Sequence, residues 1–438
     1  MTHLSVLEWD RVAVGDGGLT RCEADQLLAS ARVHSLGGVD GAQILTDHHR
    51  WLRSQQMVGV IAGDDCSLEI LPKIDQLGDA QSLQGKARLR HRLVQMLDVA
   101  LGLEIGLGRE TALARQDETL LDILIRSFAD RLTNEVRRGL PRQYLNHEDE
   151  LPVLRGRLDI ARQFTALAAR ADRLSCRFDV LSADTPLLQI MKTCVVVLSR
   201  YARREETSRR LSELRLALVD VSDVRPRELP WDAVAINRSN LRWRSLLNLA
   251  ELLLRRNWQA THRGSSADAR TGLTLLFPMN GLFEAYVSAL LRAALAPLSY
   301  EVVSQGGFRH CVLELAADGA PARPLFRTKP DCLVRKDGQT VLVLDTKWKR
   351  LSTREQDAKR GVSQSDVYQM MAYARLYGCT RLMLLYPFHP DLERRGSLAR
   401  HRINVDGADE RLDIASIDIA AEKVDTVAAL KELVLSIA

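Results

Sequence analysis

The sequence predicts a multidomain protein of mixed α/β and α+β class: a β-rich N-terminal domain over residues 1–110, a helical middle region over 111–265 and a C-terminal α/β sandwich over 266–438. Three observations predict it. The 438 residues exceed what one ordinary core serves, so two or three domains are expected. Short β-prone runs around turn residues mark the beginning, and apolar residues at helical spacing mark the middle. Beyond residue 266 helix and strand patterns alternate.

At the N-terminal end, Val58 to Ala62 and Ser67 to Leu71 flank Gly63-Asp64-Asp65 and read as a hairpin, which Pro72 then stops because it cannot donate to a ladder. Lys86 to Leu101 reads as a helix, with Leu89, Leu93, Met96, Leu97 and Ala100 at three- and four-residue steps. From Asp117 onward Leu121, Leu124, Phe128, Leu132 and Val136 share one helical face, and Gly139 and Pro141 end that helix. Leu187 to Tyr201 and Trp243 to Arg256 are further helices. Val221 to Pro230 reads as loop, and Arg263 to Asp268 as a linker. In the last third, Phe277 to Leu295 is helical after Pro278. Arg309 to Leu315, Phe326 to Arg335 and Thr340 to Trp348 read as three antiparallel strands, the last two joined by a tight Lys336-Asp337-Gly338 turn. A helix over Ser365 to Tyr377 and a strand over Arg381 to Tyr386 follow.

Hydrophobic residues make up 46% of the chain and charged residues 27%, the balance of a folded soluble protein, which excludes global disorder. A net charge of +5 permits a nucleic-acid partner without requiring one. The seven cysteines are scattered and form no CxxC pair, so neither a disulfide framework nor a zinc site is indicated. No leader pattern opens the chain and no run of about 18 apolar residues occurs, so a cytoplasmic protein without a membrane span is expected.

The chemistry lies in Lys329-Pro330-Asp331 and in Val341 to Lys347. Side chains alternate along a strand, so Asp345 and Lys347 point to one side, at the end of a run apolar on both faces. Asp331, on the neighbouring strand, reaches the same spot. Adjacent carboxylates need neutralising, and a hard divalent cation such as Mg²⁺, with Mn²⁺ as a substitute, does so while lowering the pKa of a bound water. Lys347 would orient or deprotonate that water, or stabilise charge on a phosphate. An isolated Asp-X-Lys triplet is common and by itself describes a surface ion pair. Gln369 and Tyr373, four apart on one helical face, and Glu284, on the helix that follows Pro278, raise the reading above that. His48-His49, without acidic or thiol company at ligand spacing, reads as exposed polar surface. Arg203-Arg204, Arg209-Arg210 and Arg255-Arg256 read first as solvated helix faces, and Trp243 and Trp348 as core.

Pro330-Asp331, Asp345-Thr-Lys347 and the Gln369-to-Tyr373 spacing resemble the PD-(D/E)XK nucleases in the subset with a QxxxY helix. Met279 to Glu284, Leu344 to Lys349 and Ser365 to Tyr373 resemble, more closely, McrC, the nuclease subunit of McrBC modification-dependent restriction systems. Val58 to Ile61, Leu68 to Ile74, Leu151 to Arg157 and Arg177 to Leu188 are similar to that family's upstream regions. The resemblance implies a Mg²⁺-dependent restriction endodeoxyribonuclease subunit of type II/IV character. In it Asp331, Asp345 and Glu284 hold the metal, Lys347 serves water and phosphate, and Gln369 and Tyr373 support the substrate. It implies DNA as substrate, an AAA+ GTPase or ATPase ring as partner through the N-terminal region, and a second copy for double-strand cutting. No GxxxxGK[ST] phosphate loop occurs, which agrees with a separate hydrolysing partner. A stand-alone repair or recombination nuclease and a non-catalytic activator of the partner's hydrolysis are the competing expectations.

Overall fold

A computed structural model describes residues 2–15, 17–63, 66–73, 82–105, 117–170, 172–258, 273–315, 321–352, 359, 361–392, 395–403 and 409–437. Asp64-Asp65 of the first hairpin and the Arg263 to Asp268 linker lie outside these residues. The chain forms two compact units, one from Met1–Leu120 with Arg263–Ala438 and one from Leu121–His262.

The first unit begins with β1 (Thr2–Leu7), β2 (Arg11–Ala13), α1 (Arg21–Val33), β3 (Leu45–Asp47), β4 (Trp51–Ser54), β5 (Met57–Ala62), β6 (Cys66–Leu71) and α2 (Leu83–Leu101). Thr20 and Glu23 cap α1 reciprocally, and Ser82 caps α2, each satisfying N–H groups that the first helical turn leaves open. The β5–β6 hairpin forms as expected, and β1 adds to β6 in parallel. Glu69, wholly buried in β6, accepts from Arg90 of α2 twice at 2.7 Å and from the Leu120 backbone N–H, so a charge inside the core is compensated.

The second unit contains α3 (Leu120–Arg137), β7 (Gln143–Leu151), β8 (Arg157–Leu158), α4 (Ile160–Thr165), β9 (Leu174–Ser182), α5 (Pro186–Leu198), α6 (Glu205–Ala217) and α7 (Arg244–Trp258). The sequence reading expected helices alone here. An antiparallel β7-β9-β8 sheet is present instead between α3 and α5. Nearly all of β7 is exposed or half-exposed and its run Asn146 to Glu150 is polar throughout, so no apolar alternation reveals it.

The chain then returns to the first unit through β10 (Leu275–Pro278) and α8 (Met279–Leu295). β10 pairs with β5, giving the sheet order β1-β6-β5-β10. Gly59 makes this approach feasible: its φ is +127°, and a Cβ there would sit 1.9 Å from the Leu275 carbonyl oxygen. The helical stretch Met279–Leu298 is long and apolar enough to match a membrane span by composition, but half of it is buried inside the unit and Asn280, Glu284 and Arg292 interrupt it. It is a core helix.

β11 (Glu301–Ser304), β12 (Arg309–Leu315), β13 (Pro321–Thr328), β14 (Cys332–Lys336), β15 (Gln339–Thr346), α9 (Gln364–Tyr377), β16 (Arg381–Pro387), β17 (Gly396–Arg402), β18 (Arg411–Ile417) and α10 (Lys423–Leu435) complete the chain. A six-stranded mixed sheet runs β11-β14-β15-β16-β18-β17, with β15, β16 and β18 parallel. Met370, Tyr373 and Ala374 of α9 pack on Leu333, Val343, Leu382 and Leu384 of one face. Leu342 and Leu344 point to the opposite face. The expected single strand Phe326 to Arg335 is two strands, because Pro330 lacks the N–H that a continuous ladder needs. Its first part pairs with β12 as a separate two-stranded ribbon, and only β14 joins the large sheet. β11, β17, β18 and α10 were not anticipated. β18 hides because Asp413 is buried in it, held by Arg400 Nε at 3.0 Å, which breaks its apolar pattern.

Candidate active site

The β14–β15 hairpin places the acids. Its turn residues Asp337 and Gly338 have φ of +50° and +78°, the left-handed pair that a two-residue hairpin requires. The register pairs Cys332 with Leu344, which carries Asp331, just before β14, to the level of Asp345. Asp331 Oδ2 accepts from Thr346 twice, from its backbone N–H and its hydroxyl, both at 2.7 Å. Asp345 lies at the buried end of β15, and two residues on Lys347 Nζ comes within 2.7 Å of Asp345 Oδ2.

From the lysine a polar chain runs onto α9. Lys347 Nζ donates to Gln369 Oε1 at 3.1 Å, and Gln369 Nε2 donates to the Tyr373 hydroxyl at 2.7 Å. Ser363 caps α9 through the Asp366 N–H, and the Asp366 carboxylate lies 3.5 Å from Lys347 and 3.3 Å from Lys349. On the other side Glu284 of α8 feels the charge of Asp331 and Lys329 and hydrogen-bonds Gln305. The indole N–H of Trp348, next to the lysine, donates to Glu8 Oε1 at 2.8 Å, so the end of β1 fixes the residue beside the amine.

The electrostatics follow from burial and crowding. Burial, then the charge of Asp331, push the Asp345 carboxyl up to about 6, against the pull of Lys347. Burial also raises Asp331, against the Thr346 hydrogen bonds. Burial and then Asp331 raise Glu284. Burial alone would lower the Lys347 amine, but Asp345, Asp366 and Asp331 outweigh it and hold the group cationic. Asp366 goes the opposite way: burial would raise it, yet Ser363, Lys347 and Lys349 bring it below its usual value. Burial takes the Tyr373 hydroxyl up to about 12, so it stays a neutral donor and acceptor.

Of the six residues read from the sequence, Asp331, Asp345, Lys347, Gln369 and Tyr373 form one connected cluster, and Glu284 is joined to it through the field of Asp331. Sequence reasoning missed Thr346, Gln305 and Asp366. Asp366 was within reach, since it lies three residues before Gln369 and so on the same face of α9. Among the described residues no three His, Cys, Asp or Glu side chains are grouped to hold a metal ion as they stand. The donor chemistry nonetheless fits a hard cation. All three acids offer oxygen. Glu284 Oε1 is buried without a hydrogen-bond partner, and Asp345 Oδ2 meets only the lysine ammonium, without hydrogen-bond geometry.

One expectation follows for the polar chain. Tyr373→Phe leaves Gln369 Nε2 without its acceptor and loosens the hold on Lys347. Turnover of any hydrolysis served by Lys347 should fall by about fivefold, the rate equivalent of one ordinary hydrogen bond, with KM little changed, read in steady-state assays.

The model of the McrBC 5-methylcytosine restriction system component family matches residues 52–387. No curated protein matches the chain. Solved structures share its fold, two of them as follows. A chain of the refined half-complex from the tetradecameric assembly of Thermococcus gammatolerans McrB AAA+ hexamers with bound McrC aligns with a TM-score of 0.70 at 20% identity, covering 99% of this chain and 100% of that one. A chain of the Thermococcus gammatolerans McrBC complex, solved by cryo-EM, aligns with a TM-score of 0.51 at 24% identity, covering 67% of this chain and 88% of that one.

Proposed function

The chain belongs to the McrBC 5-methylcytosine restriction system component family, and on that premise we propose that it is the system's DNA-cutting subunit, a PD-(D/E)XK endonuclease. The observation that carries this reading is the amine of Lys347 set between Asp345 and Gln369, with Asp331 alongside at the sheet end. An anionic phosphodiester with water as nucleophile needs a cation for the phosphate and a placed group for the water. Lys347 holds a positive charge at the reacting position, and Gln369, held in turn by Tyr373, keeps the ammonium aimed. Asp331, Asp345 and Glu284 would hold Mg²⁺, which when bound polarises the phosphate and makes the water acidic.

The partner is inferred from two observations. The relatives of known structure come from McrBC assemblies, one of them built on AAA+ hexamers. The present sequence has no phosphate loop of its own. We therefore assign nucleotide hydrolysis and movement along DNA to an AAA+ ring bound through the N-terminal region, and double-strand cutting to two copies of this chain.

The test of the metal does not depend on activity. Ion binding requires ionised carboxylates, and Asp345 carries its proton up to about pH 6. Millimolar Mg²⁺ should therefore raise the melting temperature of the purified chain at pH 8 and leave it unmoved at pH 5. With the AAA+ partner, nucleotide and DNA present, chelation should stop cutting and Mn²⁺ should restore it. Cutting that survives full chelation would contradict the reading.

A further inference from the structure

The ribbon of β12 and β13 stands apart from the rest of the unit in its exposure. All seven residues of β12 are exposed, and so are Arg323, Pro324, Phe326 and Arg327 of β13. Such a ribbon gains little from folding onto the sheet, so its shape points to a role outside the fold.

Its charge is mostly positive, with Glu314 of β12, opposite Arg323 in the ladder, the one carboxylate among its described residues. Arg309, His310, Arg323 and Arg327 are exposed, and none lies within ion-pair distance of a carboxylate among the described residues. Several surface arginines elsewhere are tied to acids, Arg162 to Glu150, Arg177 to Asp159 and Arg210 to Glu206, while others, such as Arg32, Arg142 and Arg215, make no such pair among the described residues. On the ribbon the guanidinium of Arg327 covers the Phe308 ring and that of Arg309 faces the Tyr377 ring, which leaves their charges uncancelled. Phe326 is 74% exposed and held at φ +55°, a left-handed conformation an aromatic residue adopts only at a cost.

The ribbon's root is fixed to the catalytic cluster. Thr328 hydrogen-bonds the Arg309 carbonyl and the Tyr377 hydroxyl, each at 2.9 Å. Tyr377 packs edge-on against Tyr373, whose hydroxyl holds Gln369. Asp331 follows Thr328 by three residues. A ligand gripped by the ribbon is thereby led to Asp331 and Lys347.

Resting on the nuclease reading above, we propose that the β12–β13 ribbon is the duplex-DNA grip of this site. It lies in a groove, with Arg309, Arg323 and Arg327 on the phosphates and Val312, Leu313 and Phe326 against sugars and base edges. A two-stranded ribbon is narrow enough for the major groove, whose width is about 12 Å. A polyanion is the better occupant, because its row of phosphates meets all three arginines at once and releases counterions as it does so.

The test uses the full purified chain in EDTA, so that cutting plays no part, and a short fluorescein-labelled duplex followed by anisotropy over a series of NaCl concentrations. Each neutralised phosphate contributes about 0.9 to the slope of log affinity against log salt. Arg323→Glu with Arg327→Glu should reduce that slope by about 2 and weaken low-salt binding by at least about tenfold. Both side chains are exposed, and unchanged circular dichroism will show that the variant folds. Phe326→Ala should weaken binding and leave the slope alone. An unchanged slope and affinity in the double variant overturns the proposal. So does a variant that binds DNA normally but no longer associates with the AAA+ ring, which would make the ribbon a protein contact. Neither outcome touches the nuclease reading, which stands or falls with Asp345.

Discussion

Asp345→Asn should abolish DNA cutting by the reconstituted complex and at the same time make the chain more stable at neutral pH. The loss should reach at least about a thousandfold, since the change removes a buried anion that neither Asp331 nor Glu284 replaces. The gain has a definite sign. The Asp345 carboxyl is raised from an ordinary 3.8 to about 6 in the folded chain, so the fold binds its proton more tightly than the unfolded chain does. Stability linked to this group is complete below about pH 4 and is lost as pH rises through about 6. At pH 7.5 the ionised carboxylate is therefore a burden, and asparagine relieves it, while Lys347 keeps Asp366 as a counter-charge. Thermal melts should show the variant above the parent at pH 7.5 and level with it at pH 4. A variant that cuts at the parent rate would refute the assignment of this carboxylate.

Arg90→Ala should do the reverse, destabilising the chain with no direct bearing on the site. Glu69 is fully buried and depends on two guanidinium hydrogen bonds for compensation, and its pKa lies below the usual value: burial would raise it, and Arg90, Ser5 and the Leu120 N–H overcome that. Removing the arginine leaves an uncompensated charge in the core, at a cost of about 3–5 kcal/mol. Urea denaturation should show the midpoint fall at an unchanged slope. Glu69→Gln combined with Arg90→Met should recover most of the loss, because the amide oxygen still accepts the Leu120 N–H while no ion remains buried.

The site was more legible in the sequence than the fold around it. Asp345 and Lys347 announce themselves by strand alternation, and Gln369 and Tyr373 by helical spacing, both local rules the folded chain obeys. The Asp337-Gly338 turn fixed the hairpin that brings Asp331 in. What stayed hidden depends on distant pairing or on compensated charge. β10 reads as the lead-in to a helix until β5 is there to pair with it. β18 carries a buried Asp413 that only Arg400 explains. β7 is polar along most of its length, so its ladder to β9, and not its pattern, makes it a strand. Asp366 was passed over although it shares a face of α9 with Gln369, because its pairing with Lys347 and Lys349 exists only in the folded chain.

The pairing of β10 with β5 joins residues more than two hundred positions apart, and the bond from Trp348 to Glu8 spans 340. Loop closure on that scale is slow and comes only after the late strands have left the ribosome. A nascent or truncated chain consequently lacks the bond that fixes Trp348 beside the lysine. For the endonuclease proposed above, such a topology would delay assembly of the site until most of the chain has been made.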